Sequence, residues 1–222
     1  MMSEKNEIYI SRQITVYKTD KKLLEFVDKL KIAPVNHYAH IHSFGDIDED
    51  GIKQISCIGL VLQDYSQGKG DNTKRVVANI SPDEAEYIYS KVRNGIQEFE
   101  FKQEKIFGNP DENDMSKVTK LRIIRASKTA DGKIRNYPWY VEIDNGRGKK
   151  QQNANGGISI KPNSFKSENK LYININDLDF FRLTVRVSKY ISSWEKTVAP
   201  HVITQGMQAI AQRLEEKADE KQ

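Results

Sequence analysis

Cysteine is almost absent from this chain of 222 residues, which contains one, Cys57. A single thiol excludes a disulfide within the chain and any metal site built from several thiolates, such as a zinc ribbon or a zinc finger. Ile55, Ile58 and Leu60 flank it in sequence, and such apolar neighbours predict a buried thiol that takes no part in chemistry.

Long apolar runs are lacking as well. No window approaches the roughly 18 consecutive apolar residues of a membrane-spanning helix, and residues 1–14 lack the apolar block of a signal peptide. The composition, with 37% hydrophobic and 30% charged residues, is typical of globular proteins with one large domain or two small ones. We therefore expect a cytoplasmic protein that does not bind membranes.

Sequence motifs of common catalytic and cofactor sites are also absent. The chain contains no Gly-x-x-x-x-Gly-Lys-Ser/Thr, Gly-x-Gly-x-x-Gly, Gly-x-Ser-x-Gly or His-Glu-x-x-His pattern. Asp46-x-Asp48-x-Asp50-Gly51 begins like a calcium-binding loop, but its twelfth position, which needs a bidentate carboxylate, is Cys57. We therefore expect a protein that is not an enzyme and has no cofactor.

Two of the four histidines could share a metal ion. His40 and His42 are two residues apart on a predicted strand, so they point to the same face. No Glu-His or Cys signature lies near them, and we interpret them as packed or surface histidines, which predicts no metal site. A metal-dependent enzyme that uses this pair is kept as a third functional hypothesis.

Charge is distributed unevenly along the chain, although the net charge is only +4. Residues 1–116 contain 15 basic and 20 acidic side chains, residues 117–170 contain 13 and 4, and residues 171–222 contain 7 of each. The middle segment is thus strongly basic. This pattern is typical of a polyanion-binding protein, because each neutralised phosphate releases condensed counterions; a solvated loop face is the alternative explanation.

Periodicity and turn residues predict an α+β fold of antiparallel β-sheets with helices. The predicted strands are 8–17, 37–44, 53–64, 75–80, 99–106, 118–126, 137–143, 158–160 and 171–175. Helices are predicted over 20–30, from Pro82 to Gly95, from Asn176 or Asp177 to Trp194, and from Pro200 onward. Turns are predicted at 46–51 and 131–132, and a Gly- and Asn-rich loop at 145–157.

The predicted elements divide the chain into four parts. They are an N-terminal strand and helix (1–34), a first β-rich unit with a helix (35–114), a second, basic β-rich unit with a helix (115–195), and a C-terminal amphipathic helix and tail (196–222). In both β-rich units a strand runs directly into a capped helix. The two are either similar β-meander-plus-helix units or a coincidence of two common junctions.

The basic segment also contains aromatic side chains, a combination that suits single-stranded nucleic acid because cations track phosphates and aromatic faces stack on bases. Alternation along Tyr137 to Ile143 favours Trp139 in the core and leaves Tyr140 as the stacking candidate. The candidate binding residues are Arg122, Arg125, Lys128, Lys133, Arg135, Tyr137, Tyr140, Arg147, Lys149, Lys150 and Lys161.

Three stretches of the chain resemble the Whirly and transcriptional-coactivator families of single-stranded DNA-binding proteins. They are the strand-to-helix junctions Ile80-Ser-Pro-Asp83 and Ile175-Asn-Asp-Leu178 and the basic Gly-Ile-Ser-Ile-Lys-Pro at 157–162. The resemblance spans about residues 35–195 and implies curved antiparallel sheets, each followed by a helix, that pair into a two-fold unit. The Lys-Gly-Lys-Ala-Ala-Leu signature of plant Whirly proteins is absent.

These observations lead to a hypothesis of sequence-tolerant binding to single-stranded DNA, in replication, recombination or DNA transfer. RNA is an alternative ligand, because the contact that separates the two is made to the 2′-hydroxyl group. We also expect a homo-oligomer. The second hypothesis is a non-catalytic interaction or assembly protein that binds an acidic partner.

Overall fold

The computed structural model describes residues 10–47, 50–68 and 70–219. Its strands are β1 (Gln13–Lys18), β2 (Lys22–Lys29), β3 (Phe44–Ile47), β4 (Lys53–Ile55), β5 (Cys57–Asp64), β6 (Lys74–Ile80), β7 (Glu98–Phe107), β8 (Ser116–Ala126), β9 (Trp139–Gly148), β10 (Lys150–Gln152), β11 (Ile158–Ile160) and β12 (Lys166–Ile175). Its α-helices are α1 (Pro82–Arg93) and α2 (Asp177–Asp219), and short 3₁₀ helices span Val35–His40 and Gly70–Asn72.

Two four-stranded antiparallel sheets form the body of the structure. Sheet I has the order β1-β2-β5-β6 and leads into α1, and sheet II has the order β7-β8-β9-β12 and leads into α2. The hairpin β3–β4 is inserted into the first meander and the hairpin β10–β11 into the second. The predicted α+β class of antiparallel β-sheets with helices is therefore confirmed.

One hydrophobic core lies between the two sheets and the two helices. Sheet I contributes Leu24, Leu60 and Val76, while sheet II contributes Ile143 and Trp139, and all of these side chains are buried. Alternation along each strand explains this arrangement, because every second side chain points to the same face of a sheet. The face of each sheet that points away from this core is called its outer face below.

The free edge of β6 is closed by a side chain from sheet II. Asn145 Oδ1 accepts a hydrogen bond from the Val77 amide at 2.8 Å, and its Nδ2 donates to the Val77 carbonyl at 2.9 Å. Lys105 Nζ donates to the carbonyl of Asn79 on the same edge at 2.8 Å. These contacts satisfy backbone groups that would otherwise offer a template for pairing with another chain.

Helix α1 begins where the sequence predicts. The Ser81 hydroxyl accepts from the Glu84 amide at 3.1 Å, and the Glu84 carboxylate accepts from the Ser81 amide at 2.7 Å, which together form a capping box. Pro82 occupies the first turn, where its missing amide hydrogen has no partner to lose. At the other unit, Asn176 Oδ1 accepts from the Asp179 amide at 2.8 Å and so caps α2.

Helix α2 does not end at Trp194, and the predicted new helix at Pro200 is wrong. Pro200 lies inside one continuous helix, where it removes one backbone donor without ending the helix. Packing beyond it compensates for that loss, because Val202 and Gly206 are buried. A Cβ atom on Gly206 would lie 2.1 Å from Cγ of Tyr38, so only glycine allows this close approach.

Two further predictions are wrong near the N-terminus. The predicted helix 20–30 is strand β2, which pairs with both β1 and β5 and buries Leu24 and Phe26 alternately. The predicted strand 37–44 is mostly the 3₁₀ helix Val35–His40, which packs against α2, and β3 begins only at Phe44. The start of the predicted strand 8–17 lies outside the described residues.

The loop predicted at 145–157 is shorter in the structure, because β9 continues to Gly148 and β10 follows at once. The predicted turn at 131–132 is present: Gly132 has a φ of +84°, and its amide donates to the Thr129 carbonyl. Among the described residues, no helix is both long and apolar enough to cross a membrane.

Candidate nucleic-acid interface

The outer face of sheet II carries two of the predicted binding residues, Arg122 and Tyr140. Strand pairing places side chains of all four strands side by side in rows on this face. The rows are Glu100–Ile124–Tyr140–Asn174, Lys102–Arg122–Glu142–Tyr172 and Glu104–Lys120–Asp144–Lys170.

Most charges on this face are paired, within β7 for Lys102 and across neighbouring strands for the others. The ion pairs are Lys102 with Glu100 (2.8 Å), Arg122 with Glu100 (3.1 Å) and Glu142 (4.0 Å), Lys120 with Glu104 (2.8 Å), and Lys170 with Glu142 (2.9 Å). The carboxylates come mainly from β7, which precedes the basic segment in sequence. Arg122 is therefore on the predicted surface, but its charge is largely balanced.

Two tyrosines stack on each other in the middle of the outer face. The rings of Tyr140 and Tyr172 have centroids 5.4 Å apart with an interplanar angle of 28°. The Tyr140 hydroxyl donates to Glu142, and burial together with this carboxylate raises the pKa of Tyr140. Burial alone would raise the pKa of Glu142, but the bonds from Tyr140 and Lys170 hold it below its ordinary value. Tyr140 is thus fixed in a neutral, ordered state.

The remaining predicted cations lie at the two ends of sheet II. Lys128, Lys133 and Arg135 occupy the loop between β8 and β9, whereas Lys150 and its neighbours lie around the hairpin β10–β11 at the opposite end. The eight steps along β9 from Trp139 to Arg147 separate these ends by about 27 Å, since an antiparallel strand rises about 3.4 Å per residue.

Carboxylates balance some of these end cations and leave others free. Lys133 pairs with Asp131 at 3.0 Å, and Lys149 pairs with Asp114 at 3.6 Å. Arg147 pairs with Asp111 at 2.7 Å and with Glu168 at 3.1 Å. Within the described residues, four of the predicted cations have no carboxylate at salt-bridge distance: Lys128, Arg135, Lys150 and Lys161.

Arg125 has a structural position and lies away from the outer face. Its side chain is 7% exposed, donates to both carboxylate oxygens of Asp177 at 3.0 Å, and donates to the Ile96 and Gln97 carbonyls. Trp139 Nε1 donates to the same carboxylate at 2.8 Å. The bonds from Arg125 and Trp139 lower the pKa of Asp177, although burial opposes the shift.

Trp139 is in the core, as the strand alternation predicted. It is 1% exposed and its ring stacks on Phe180 of α2 with centroids 4.3 Å apart. Together with Arg125, this tryptophan joins the end of sheet II to the start of α2, so neither side chain is available to a ligand.

A cleft beside β12 brings together residues that are far apart in sequence. It has a volume of 310 Å³ and opens between the β1–β2 turn of sheet I and the edge of sheet II. We call it the tyrosine cleft; it is lined by Tyr17, Thr19, Lys22, Tyr137, Tyr172, Ile173 and Asn174. Sequence reasoning found Tyr137 but missed Tyr17 and Lys22, because nothing in the sequence shows that the β1–β2 turn reaches β12.

The histidine pair is not part of this surface. His42 is buried, with Nδ1 2.8 Å from Ser56 Oγ and Nε2 3.1 Å from Glu195 Oε1, and its ring stacks on Trp194. His40 instead stacks on His37 with centroids 5.7 Å apart. In the part of the chain that the structure describes, no group of three or more metal-binding side chains is assembled.

Comparison with solved structures finds plant proteins of similar architecture. The chain is similar to the plant transcriptional regulator PBF-2, with 14% identity and a TM-score of 0.45 over 87% of this chain and 96% of that chain. It is also similar to WHY1 from Arabidopsis thaliana, with 12% identity and a TM-score of 0.42 over 92% of this chain and 95% of that chain. Both are Whirly proteins, the family to which the sequence showed a resemblance.

Sequence comparisons give no further relatives: no family model matches the chain, and no curated protein matches it. At 12–14% identity, the structural likeness transfers no residue role. The proposed binding surface therefore rests on the side chains of this chain alone.

Proposed function

We propose that this protein binds single-stranded DNA with little sequence preference along the outer face of sheet II. One observation carries the proposal: the stack of half-buried Tyr140 on exposed Tyr172 lies between two pairs of unbalanced cations, Lys128 and Arg135 at one end and Lys150 and Lys161 at the other. Cations spaced along a groove track phosphates, and aromatic faces accept any base.

The proposed mechanism is one of binding without catalysis. The strand would lie extended across the sheet, with phosphates near the cations at both ends and bases toward the tyrosines. The ion pairs between them would keep Arg122 and Lys170 in place without adding much net charge. A sequence-tolerant surface of this kind suits replication, recombination or DNA transfer, where the strand to be bound varies.

Fluorescence anisotropy with labelled oligo-dT in 50 and 200 mM salt tests the proposal. If four phosphates are neutralised, the affinity should fall about 50-fold over this range, since each contact to a single strand contributes a slope of about −0.7. No binding at low salt, or binding without salt dependence, would overturn the proposal. An oligo-rU of equal length, used as competitor, measures the preference between DNA and RNA.

A second candidate function, self-assembly through α2, is favoured by apolar side chains on its last turns. Ile203, Met207, Ile210 and Leu214 are exposed and follow the spacing of three and four residues that coiled coils use. The partner would be a second copy of the chain. Light scattering should show a dimer or larger species that Met207→Glu converts to a monomer, and a monomeric wild type would contradict this function.

A further inference from the structure

We infer that the tyrosine cleft holds one nucleobase of the bound strand, turned out of the path along the outer face. This inference deepens the proposed function and rests on it. The candidate ligand is the base itself, whether it belongs to a strand or to a free nucleotide.

The cleft offers aromatic surface from three separate elements. Tyr17 comes from β1, Tyr137 from the β8–β9 loop and Tyr172 from β12. Tyr137 is 53% exposed and Tyr172 is 46% exposed, and the Tyr137 ring is the more available of the two because the Tyr172 ring already contacts Tyr140 and Lys22. Pro138 follows Tyr137 and restricts its backbone to an extended conformation, which reduces the entropy lost when its ring is ordered by a base.

Polar groups of the cleft can form hydrogen bonds with the edge of a base. Among the hydrogen bonds of the described residues, none involves the Asn174 side chain, so its amide can both donate to and accept from a base edge. Lys22 Nζ lies 4.3 Å from the centre of the Tyr172 ring and donates to the Tyr172 carbonyl at 3.0 Å. The same ammonium pairs with Asp64 at 3.6 Å, so Lys22 orders the rim of the cleft while its charge is largely balanced.

Size and position further restrict the occupant. The volume of 310 Å³ is at the lower limit of ligand pockets, which hold roughly 300–1,000 Å³, and this suits a single base better than a longer segment. Tyr172 belongs both to the cleft and to the stacked pair with Tyr140. A strand that crosses the outer face therefore passes directly over the opening.

The test compares a dT oligonucleotide with a chain of abasic sites of equal length, which keeps the phosphates and lacks the bases. Wild-type protein should bind the dT strand more tightly, and Tyr137→Ala with Tyr172→Ala should reduce that preference about tenfold, since one base–aromatic stack is of that order. The salt dependence should stay unchanged, because no cation is removed. Tyr137→Phe with Tyr172→Phe should retain the preference.

Two controls make the outcomes separable. Tyr87→Ala removes a comparably exposed tyrosine on α1 and should leave the preference intact, while thermal unfolding confirms that each variant is folded. If the wild type binds the dT strand with salt dependence and the double alanine variant keeps the full preference, the inference is overturned and the proposed function stands. If the wild type binds neither strand, both are overturned.

Free dTMP forms the last arm of the test. Quenching of tyrosine fluorescence by dTMP in the wild type, but not in the double alanine variant, would support binding of the base itself. If dTMP displaces the dT strand from the wild type but not from the double alanine variant, the strand and the free nucleotide bind at the same site. Equal quenching in both proteins would contradict the inference.

Discussion

The outer faces of the two sheets differ in the chemistry of their side chains. On sheet I the pairing places Lys18, Leu23, Gln63 and Arg75 in one row and Val16, Glu25, Val61 and Val77 in the next. Half of these side chains are aliphatic, and within the described residues neither of the exposed cations on this face, Lys18 and Arg75, has a carboxylate at salt-bridge distance. The outer face of sheet II is aromatic in the middle and covered by ion pairs.

The difference shows that charge counted along a sequence is not charge available to a ligand. The basic segment 117–170 is paired in space with the acidic strand β7, so Lys120 and Arg122 are balanced by carboxylates outside the segment. Sheet I belongs to the acidic part of the sequence, yet it retains unpaired cations. Aromatic groups, and not the net charge of a segment, therefore distinguish the proposed binding face.

The largest effect is expected from Arg125→Met, which separates structural from binding cations on sheet II. Removing this buried guanidinium leaves the Ile96 and Gln97 carbonyls without this donor and Asp177 with only the bond from Trp139, and should lower the free energy of unfolding by about 3 kcal/mol. Urea denaturation measures the change. Arg122→Met removes a more exposed ion pair and should lower the free energy of unfolding by less than about 1 kcal/mol. Equal losses of stability in the two variants would contradict the separation of Arg125 as a structural cation.

The next effect concerns the unpaired cations at the ends of sheet II. Lys150→Gln with Lys161→Gln should reduce the slope of affinity against salt by about 1.4, because two phosphate contacts are lost. The matched control is Lys102→Gln with Lys120→Gln, whose side chains already pair with Glu100 and Glu104. Anisotropy titrations at several salt concentrations measure the slope for each variant. A larger decrease in slope for the control variant would show that the paired lysines, and not Lys150 and Lys161, contact the phosphates.

A smaller effect is expected from acid. The folded-state pKa of Asp177 is lowered, so its contribution to stability is complete above the unfolded pKa of about 3.9 and is lost as pH falls through the lower folded value. Because this carboxylate is half-exposed, the loss should be below about 1 kcal/mol. Denaturation between pH 5 and pH 2 should show a steeper loss in the wild type than in Asp177→Asn.

No effect is expected when the cations of sheet I are removed. Lys18→Gln with Arg75→Gln should leave both the affinity for oligo-dT and its salt slope unchanged, because this face has no aromatic ring in its two central rows. Anisotropy titration is again the measurement. A decrease of about 1.4 in the salt slope would indicate that the phosphates bind to sheet I and not to sheet II.

Local patterns in the sequence predicted much of the fold. The capping box at Ser81 and the strand that buries Trp139 depend on neighbours within a few residues. The course of α2 through Pro200 and the strand β2 depend instead on tertiary packing, which overrides local preference. Periodicity alone could not decide either case.

The candidate site was predicted only in part, for a similar reason. Residues within one meander, such as Arg122 and Tyr140, were found because sheet alternation places them on one face. The balancing carboxylates of β7 and the contribution of Lys22 to the tyrosine cleft come from other parts of the chain. Strand pairing within sheet II brings the β7 carboxylates to the outer face, whereas the packing of one sheet on the other brings Lys22 to the cleft.

The continuous helix α2 extends past its last buried residue. Its 43 residues span about 65 Å at about 1.5 Å per residue, which makes it longer than a small domain is wide. The bonds of Asp177 to Arg125 and Trp139 hold its first turn against the end of sheet II, close to the tyrosine cleft. Burial continues along α2 as far as Gly206, about 44 Å from this anchored turn, and the remaining 13 residues to Asp219 extend about 20 Å beyond the last buried position.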